Sequence, residues 1–104
     1  RILSASSVEL MRTNQLTGQR SKDFYNLRKG YGYGLGVRTH IDPEVSGSLS
    51  PIGEFGWDGA AGVFVIIDPE TKLSLTYTQH VLGCGYCYSH IHQTIRNLAY
   101  ECIK

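Results

Sequence analysis

The run Gly62-Val63-Phe64-Val65-Ile66-Ile67 constrains this 104-residue chain more than any other segment. Continuous β-branched and aromatic residues mark a strand covered on both faces, so its expected place is the centre of a sheet. Asp68-Pro69-Glu70-Thr71-Lys72 follows as a turn, after which Leu73, Leu75 and Tyr77 alternate with Ser74, Thr76 and Thr78. Together the two runs predict an antiparallel hairpin.

Upstream, Gly30-Tyr31-Gly32-Tyr33-Gly34-Leu35-Gly36-Val37 alternates strictly. As one strand it puts the glycines on one face, open to close approach by another backbone, and the large residues on the other. Near the start, Ser6 followed by Glu9 forms a capping box, which predicts a short helix from about Ser7 to Thr13. Leu16 to Lys29 shows no dominant period and reads as a long loop with room for one helical turn. Residues 42–53, with Pro43, Gly47, Pro51 and three serines, also read as loop. Ser89 can cap a final helix whose apolar residues fall at Ile91, Ile95, Leu98, Ala99 and Cys102. The expected architecture is α+β in a single domain, 1–104: a short N-terminal helix, a three-stranded antiparallel sheet, and a C-terminal helix packed on that sheet.

Ten Lys and Arg against nine Asp and Glu leave a net charge of +1. That balance provides no electrostatic footprint for nucleic acid or an anionic membrane. No apolar stretch approaches the roughly 20 residues of a membrane span. The first residue is arginine, so the expectation is a piece of a longer chain. The odd set Cys84, Cys87 and Cys102 is poor material for a disulfide framework and is commoner in a reducing compartment.

Several segments carry candidate chemistry. Cys84-x-x-Cys87 followed by His90 and His92 has the residue types of a zinc site or a redox pair. Histidines two apart at a helix start diverge, however, and the plain reading is a loop with two small residues. No metal and no cofactor are expected. His40 and His80 lie near strand ends, and no serine has a nucleophile-elbow setting, so both read as hydrogen-bonded or surface histidines. The segment Glu54-Phe55-Gly56-Trp57-Asp58-Gly59-Ala60-Ala61-Gly62 is the most informative. On residue types alone it is a tight turn leading into a buried strand, with Trp57 as an anchor.

The ordered set Leu3-Ser4…Val8-Glu9-Leu10-Met11, Gly32-Tyr33-Gly34-Leu35-Gly36, Gly56-Trp57-Asp58-Gly59-Ala60-Ala61-Gly62 and Ile67-Asp68-Pro69-Glu70 resembles the C-terminal portion of β-lactamase-related serine hydrolases. That superfamily includes class C β-lactamases, penicillin-binding proteins, D-alanyl-D-alanine carboxypeptidases and β-lactamase-like esterases. The resemblance spans nearly the whole chain. It implies that Trp57, Asp58 and Gly59 occupy the family's third motif and line the substrate cleft. It also implies that the backbone amide of Ala60 is half of the oxyanion hole, a donor worth about 3 to 4 kcal/mol in the transition state. Trp57 replaces the usual lysine or histidine of that motif, as in some β-lactamase-like esterases.

The family's nucleophile motif Ser-x-x-Lys is absent, as are Tyr-x-Asn and Ser-x-Asn. Without an activated nucleophile acyl-enzyme chemistry cannot start, so this stretch alone is not expected to be catalytic. Its expected partner is the missing N-terminal part of the parent chain, and an exposed sheet predicts self-association into a homo-oligomer. The alternative is a non-catalytic interaction module that keeps the penicillin-binding fold.

Overall fold

A computed structural model describes residues 2–103. It contains a five-stranded antiparallel sheet in the order β1-β2-β3-β4-β5, so the expectation of three strands is corrected to five. The two additional strands come from places where local pattern misleads. The glycine-alternating run does not continue as one strand. It forms β1 (Tyr31–Tyr33), reverses where the Gly34 N–H donates to the Val37 carbonyl at 2.8 Å, and returns as the polar β2 (Arg38–His40). The informative segment itself supplies β3 (Phe55–Asp58).

The hairpin forms as expected from β4 (Phe64–Asp68) and β5 (Leu73–Tyr77), with Ile66 opposite Leu75. The central strand is β3, whereas β4 lies one place from the edge. Nor is β4 covered on both faces. Register sets Asp58, Phe64, Ile66 and Asp68 on one face and Trp57, Val65 and Ile67 on the other. Phe64 and Ile66 are fully buried, but Ile67 is 39% exposed and Trp57 48%.

Helix α1 (Ala5–Arg12) starts two residues earlier than expected. Ser4, not Ser6, is its cap, accepting from the Ser7 N–H at 3.1 Å. Glu9 turns outward to pair with Arg12 at 2.7 Å rather than reaching back. The last turn of α1 and the chain after it lie against the outer edge of β1 and its turn, where the Leu35 N–H donates to the Met11 carbonyl and the Gln15 N–H to that of Tyr33, both at 2.8 Å. A Cβ on Gly34 would collide with the Met11 carbonyl, so the close approach anticipated for the glycine face occurs there.

Residues read as loop contain two further helices. In α2 (Gly18–Leu27), Gln19 and Asp23 bond one turn apart at 2.8 Å, and Phe24 packs on Tyr33 with ring centroids 5.5 Å apart. A polar helix with one narrow apolar contact leaves little periodicity to read. The short α3 (Pro43–Ser46) is capped by Asp42.

The C-terminal segment enters through a wide π-type turn, Cys87–Ile91, and continues as α4 (His92–Cys102). Ser89 does not cap it; its hydroxyl donates back to the Gly85 carbonyl. As expected, α4 packs on the sheet, but through a different stripe. Its buried residues are His92, Arg96 and Tyr100, spaced by four, while Leu98 is 54% exposed. Ile95 joins Tyr100 against Phe64 and Ile66 in the apolar part of the core. The polar stripe is inward because the sheet face beneath it carries charge.

Candidate functional site

The third-motif segment lies at the end of β3 and in the β3–β4 turn. Strand β2 pairs with β3 only at Phe55 and Gly56, so from Trp57 onward β3 has a strand neighbour only on the β4 side. The turn is tight: the Gly62 N–H donates to the Gly59 carbonyl at 3.0 Å, and the Gly59 N–H to the Val63 carbonyl at 2.8 Å. Gly62 adopts φ +84°, a region L-residues avoid, which explains the glycine there.

Both ends of this turn are held by the C-terminal segment. Tyr88 Oη donates to the Gly59 carbonyl at 2.7 Å, and His92 Nε2 lies 2.7 Å from the Gly62 carbonyl. A carbonyl only accepts, so His92 carries its proton on Nε2. Between the two pinned glycines, Ala60 is exposed and its amide has no partner among the described residues. A backbone N–H held free on a fixed turn is the kind of donor that can receive a developing oxyanion.

The three candidate substrate-binding residues do not act as one surface. Trp57 projects to the half-open face, edge-on to Tyr33 at 5.4 Å, and with Leu16, Phe24 and Leu27 lines a mostly apolar groove of about 380 Å³ that Arg20 and Asp23 also border. The side chain of Asp58 points to the opposite face and is 7% exposed. There it lies 3.3 Å from Arg28 Nε, 3.5 Å from Arg38 Nη2 and 3.8 Å from His92 Nδ1. Gly59 contributes its carbonyl to Tyr88.

Asp58 belongs to a buried ionic network that sequence reasoning missed. Arg38 Nη1 pairs with Glu54 Oε1 at 3.0 Å, and Arg96 Nε faces Glu54 Oε2 at 3.5 Å. Ser50 also donates to Glu54, at 3.1 Å. Buried charges persist only when paired, and Glu54 neutralises two arginines from different elements. The available signal was His92, Arg96 and Tyr100 at helical spacing, which becomes meaningful only once Arg38 and Glu54 are known to lie beneath.

The histidines and cysteines take separate places. His40 is buried, with Nδ1 3.1 Å from the Pro51 carbonyl and Nε2 2.7 Å from Ser46 Oγ, a neutral tautomer satisfied on both sides. Burial pushes His40 and His92 below the ordinary imidazole range. His80 is exposed. His90 stacks on Tyr86 while His92 turns inward, so the two diverge, and among the described residues no three His, Cys, Asp or Glu side chains converge. Cys84 and Cys87 are free thiols; their mutual hydrogen bond lowers the pKa of Cys84 and raises that of Cys87.

The five-stranded sheet with α4 on one face resembles a portion of the β-lactamase/transpeptidase-like fold. Among solved structures, the chain superposes on simvastatin synthase (LovD) from Aspergillus terreus with a TM-score of 0.73 at 17% identity, covering 98% of this chain and 29% of that one. No family model matches the sequence. Two Mycobacterium tuberculosis proteins, the uncharacterized protein MT1414 and protein Rv1367c, are each 36% identical over 83 residues. The match takes in 74% of this chain, which spans about a fifth (21%) of the length of those relatives. The solved neighbour is likewise a larger chain. Among the described residues no helix is long and apolar enough to cross a membrane.

Proposed function

We propose that the chain is the C-terminal part of a β-lactamase-like serine acyl hydrolase or acyltransferase, supplying one wall of its active-site cleft and half of its oxyanion hole. The observation that carries this reading is the unpartnered amide of Ala60 on a turn whose flanking carbonyls are held by Tyr88 and His92. In the whole protein a serine from the preceding region attacks the acyl carbonyl, and the Ala60 N–H receives the negative charge that develops on its oxygen. Trp57 replaces a cation with an indole and borders a mostly apolar groove whose two charges, Arg20 and Asp23, offset one another, which favours an uncharged acyl group over the carboxylate of a β-lactam or peptide. Asp58 supports the site from behind, through Arg28 and Arg38, rather than by touching substrate.

The test compares the full-length parent with this chain on a short-chain p-nitrophenyl ester and a chromogenic β-lactam. Activity is expected in the parent alone, with preference for the ester, and lost when its Ser-x-x-Lys serine is replaced. Ala60→Pro removes the amide hydrogen at a turn position that accepts proline. In the parent it should lower kcat by about 10² to 10³-fold with KM little changed. Unchanged kcat would remove Ala60 from the mechanism, and a parent without acyl-transfer activity would favour the interaction-module alternative.

A further inference from the structure

On the α4 side of the sheet a cleft of about 400 Å³ opens between the C-terminal end of α2, β1, β2 and the start of α4. Its lining includes Arg28, Lys29, Arg38 and Arg96 against a single carboxylate, Asp58. Glu54 lies behind Arg38 and Arg96, so the pairing leaves positive charge in excess. Tyr31 and Tyr88 add aromatic walls.

Among the described residues two buried polar atoms, Tyr31 Oη and Gln93 Nε2, have neither a hydrogen-bond nor an ion-pair partner, while Asp58 Oδ1 and Arg96 Nε make no hydrogen bond and stand only in long ion pairs, each at 3.5 Å, with Arg38 and Glu54. All four residues line this one cleft. Tyr31 is 6% exposed and Arg96 4%, so their polar atoms have given up bulk water. Buried polar groups are ordinarily satisfied, and two without any partner beside two held only by long ion pairs, all around one cavity, indicate a place for something that satisfies them. Three of the four donate hydrogen bonds, and only Asp58 Oδ1 must accept. Arg96 is held over the Tyr31 ring at 5.5 Å, and its Nη1 contacts Gln93 Oε1 at 3.3 Å, which leaves the Gln93 amide NH2 free.

We infer that this cleft binds a small oxyanion, the carboxylate or phosphate group of a ligand, between Tyr31, Gln93 and Arg96, with Asp58 accepting from a hydrogen-bond donor on the same ligand. The site lies on the opposite sheet face from Trp57 and is separate from the acyl-transfer reading. Lys29 at its mouth supplies attraction that salt screens.

The experiment titrates the 104-residue protein with acetate, inorganic phosphate and methylammonium, followed by amide NMR shifts and calorimetry at constant ionic strength. Saturable binding is expected for at least one of the two anions and not for methylammonium. If acetate alone binds, the group is a carboxylate; if phosphate alone binds, it is a phosphate ester. Gln93→Leu and Tyr31→Phe each remove one donor, and each should weaken binding by about 3 to 10-fold. Lys22→Ala, a cation away from the cleft, should leave it unchanged. Unaltered amide spectra outside the cleft will show that the variants keep their fold. Absence of saturable anion binding, or equal affinity in the Gln93 and Tyr31 variants, would overturn the proposal and leave a cleft filled by water.

Discussion

Glu54 is the residue on which the charged half of the core depends, because its carboxylate faces Arg38 and Arg96 together. Glu54→Gln leaves the buried Arg96 without a carboxylate and Arg38 with Asp58 alone, and should destabilise the protein by about 3 to 5 kcal/mol. Glu9→Gln breaks only the exposed pair with Arg12 and should cost under about 1 kcal/mol. Urea midpoints of the two variants check this; similar small shifts would mean that the buried network contributes little. His40 makes a second residue-scale prediction. The unfolded chain takes up a proton at this imidazole near pH 6.5, while the buried ring resists it until lower pH. Between those two values the unfolded state binds more protons, so stability falls as pH is lowered through about 6.5. A Tm measured at pH 7.5 and 5.5 should drop, and the drop should be smaller in His40→Gln. An equal drop in that variant would exclude His40 as its source.

At the scale of elements, two contacts join the C-terminal segment to the β3–β4 turn, from Tyr88 to Gly59 and from His92 to Gly62. Tyr88→Phe removes the first without emptying the space its ring fills. The Gly62 amide should then exchange its hydrogen several-fold faster, as expected for loss of about 1 kcal/mol. Unchanged exchange would show that the turn holds itself. Helix α4 is tested by pairing one inward and one outward residue. Tyr100, 4% exposed and bonded to Asp68 Oδ2 at 2.9 Å, should cost about 3 to 5 kcal/mol when cut to Ala. Leu98→Ala should stay within about 0.5 kcal/mol. The opposite order would restore the apolar stripe that periodicity suggested. That stripe misled because Ile91, Leu98 and Cys102 are conspicuous in a list of residues, whereas an inward polar row is recognisable only from its partners. Helix α2 was hidden for a related reason: its order comes from packing of Phe24 on Tyr33 rather than from an apolar period.

For the molecule as a whole, β5 ends the sheet with no strand beyond it among the described residues, and Trp57 and Ile67 leave the neighbouring face half open. Edges and faces of this kind ask for a partner, and under the proposed function that partner is the preceding region of the parent. Amides on the outer side of β5 should exchange rapidly in this chain and gain at least about 10-fold protection in the full-length protein. Equal exchange in both would mean that β5 is an edge in the parent as well. Self-association of the chain alone, measured by sedimentation, should rise with concentration for the same reason, and a strictly monomeric chain would count against it.

Much of the scaffold was legible in residue order. The β-branched run from Val63 to Ile67, the Asp-Pro turn and the alternation from Leu73 to Tyr77 determined the β4–β5 hairpin locally, because strand pattern and turn chemistry act over a few residues. The clustered glycines around Trp57 marked a tight turn, and their order along the chain carried the β-lactamase-like resemblance. Only tertiary structure decided that the glycine-alternating run folds back on itself, that β4 is not central, and that Asp58 and Trp57 face opposite ways. It alone decided that α4 buries a polar row, because Arg38, Glu54 and Arg96 are far apart in sequence and gain their meaning from mutual neutralisation in a space without water.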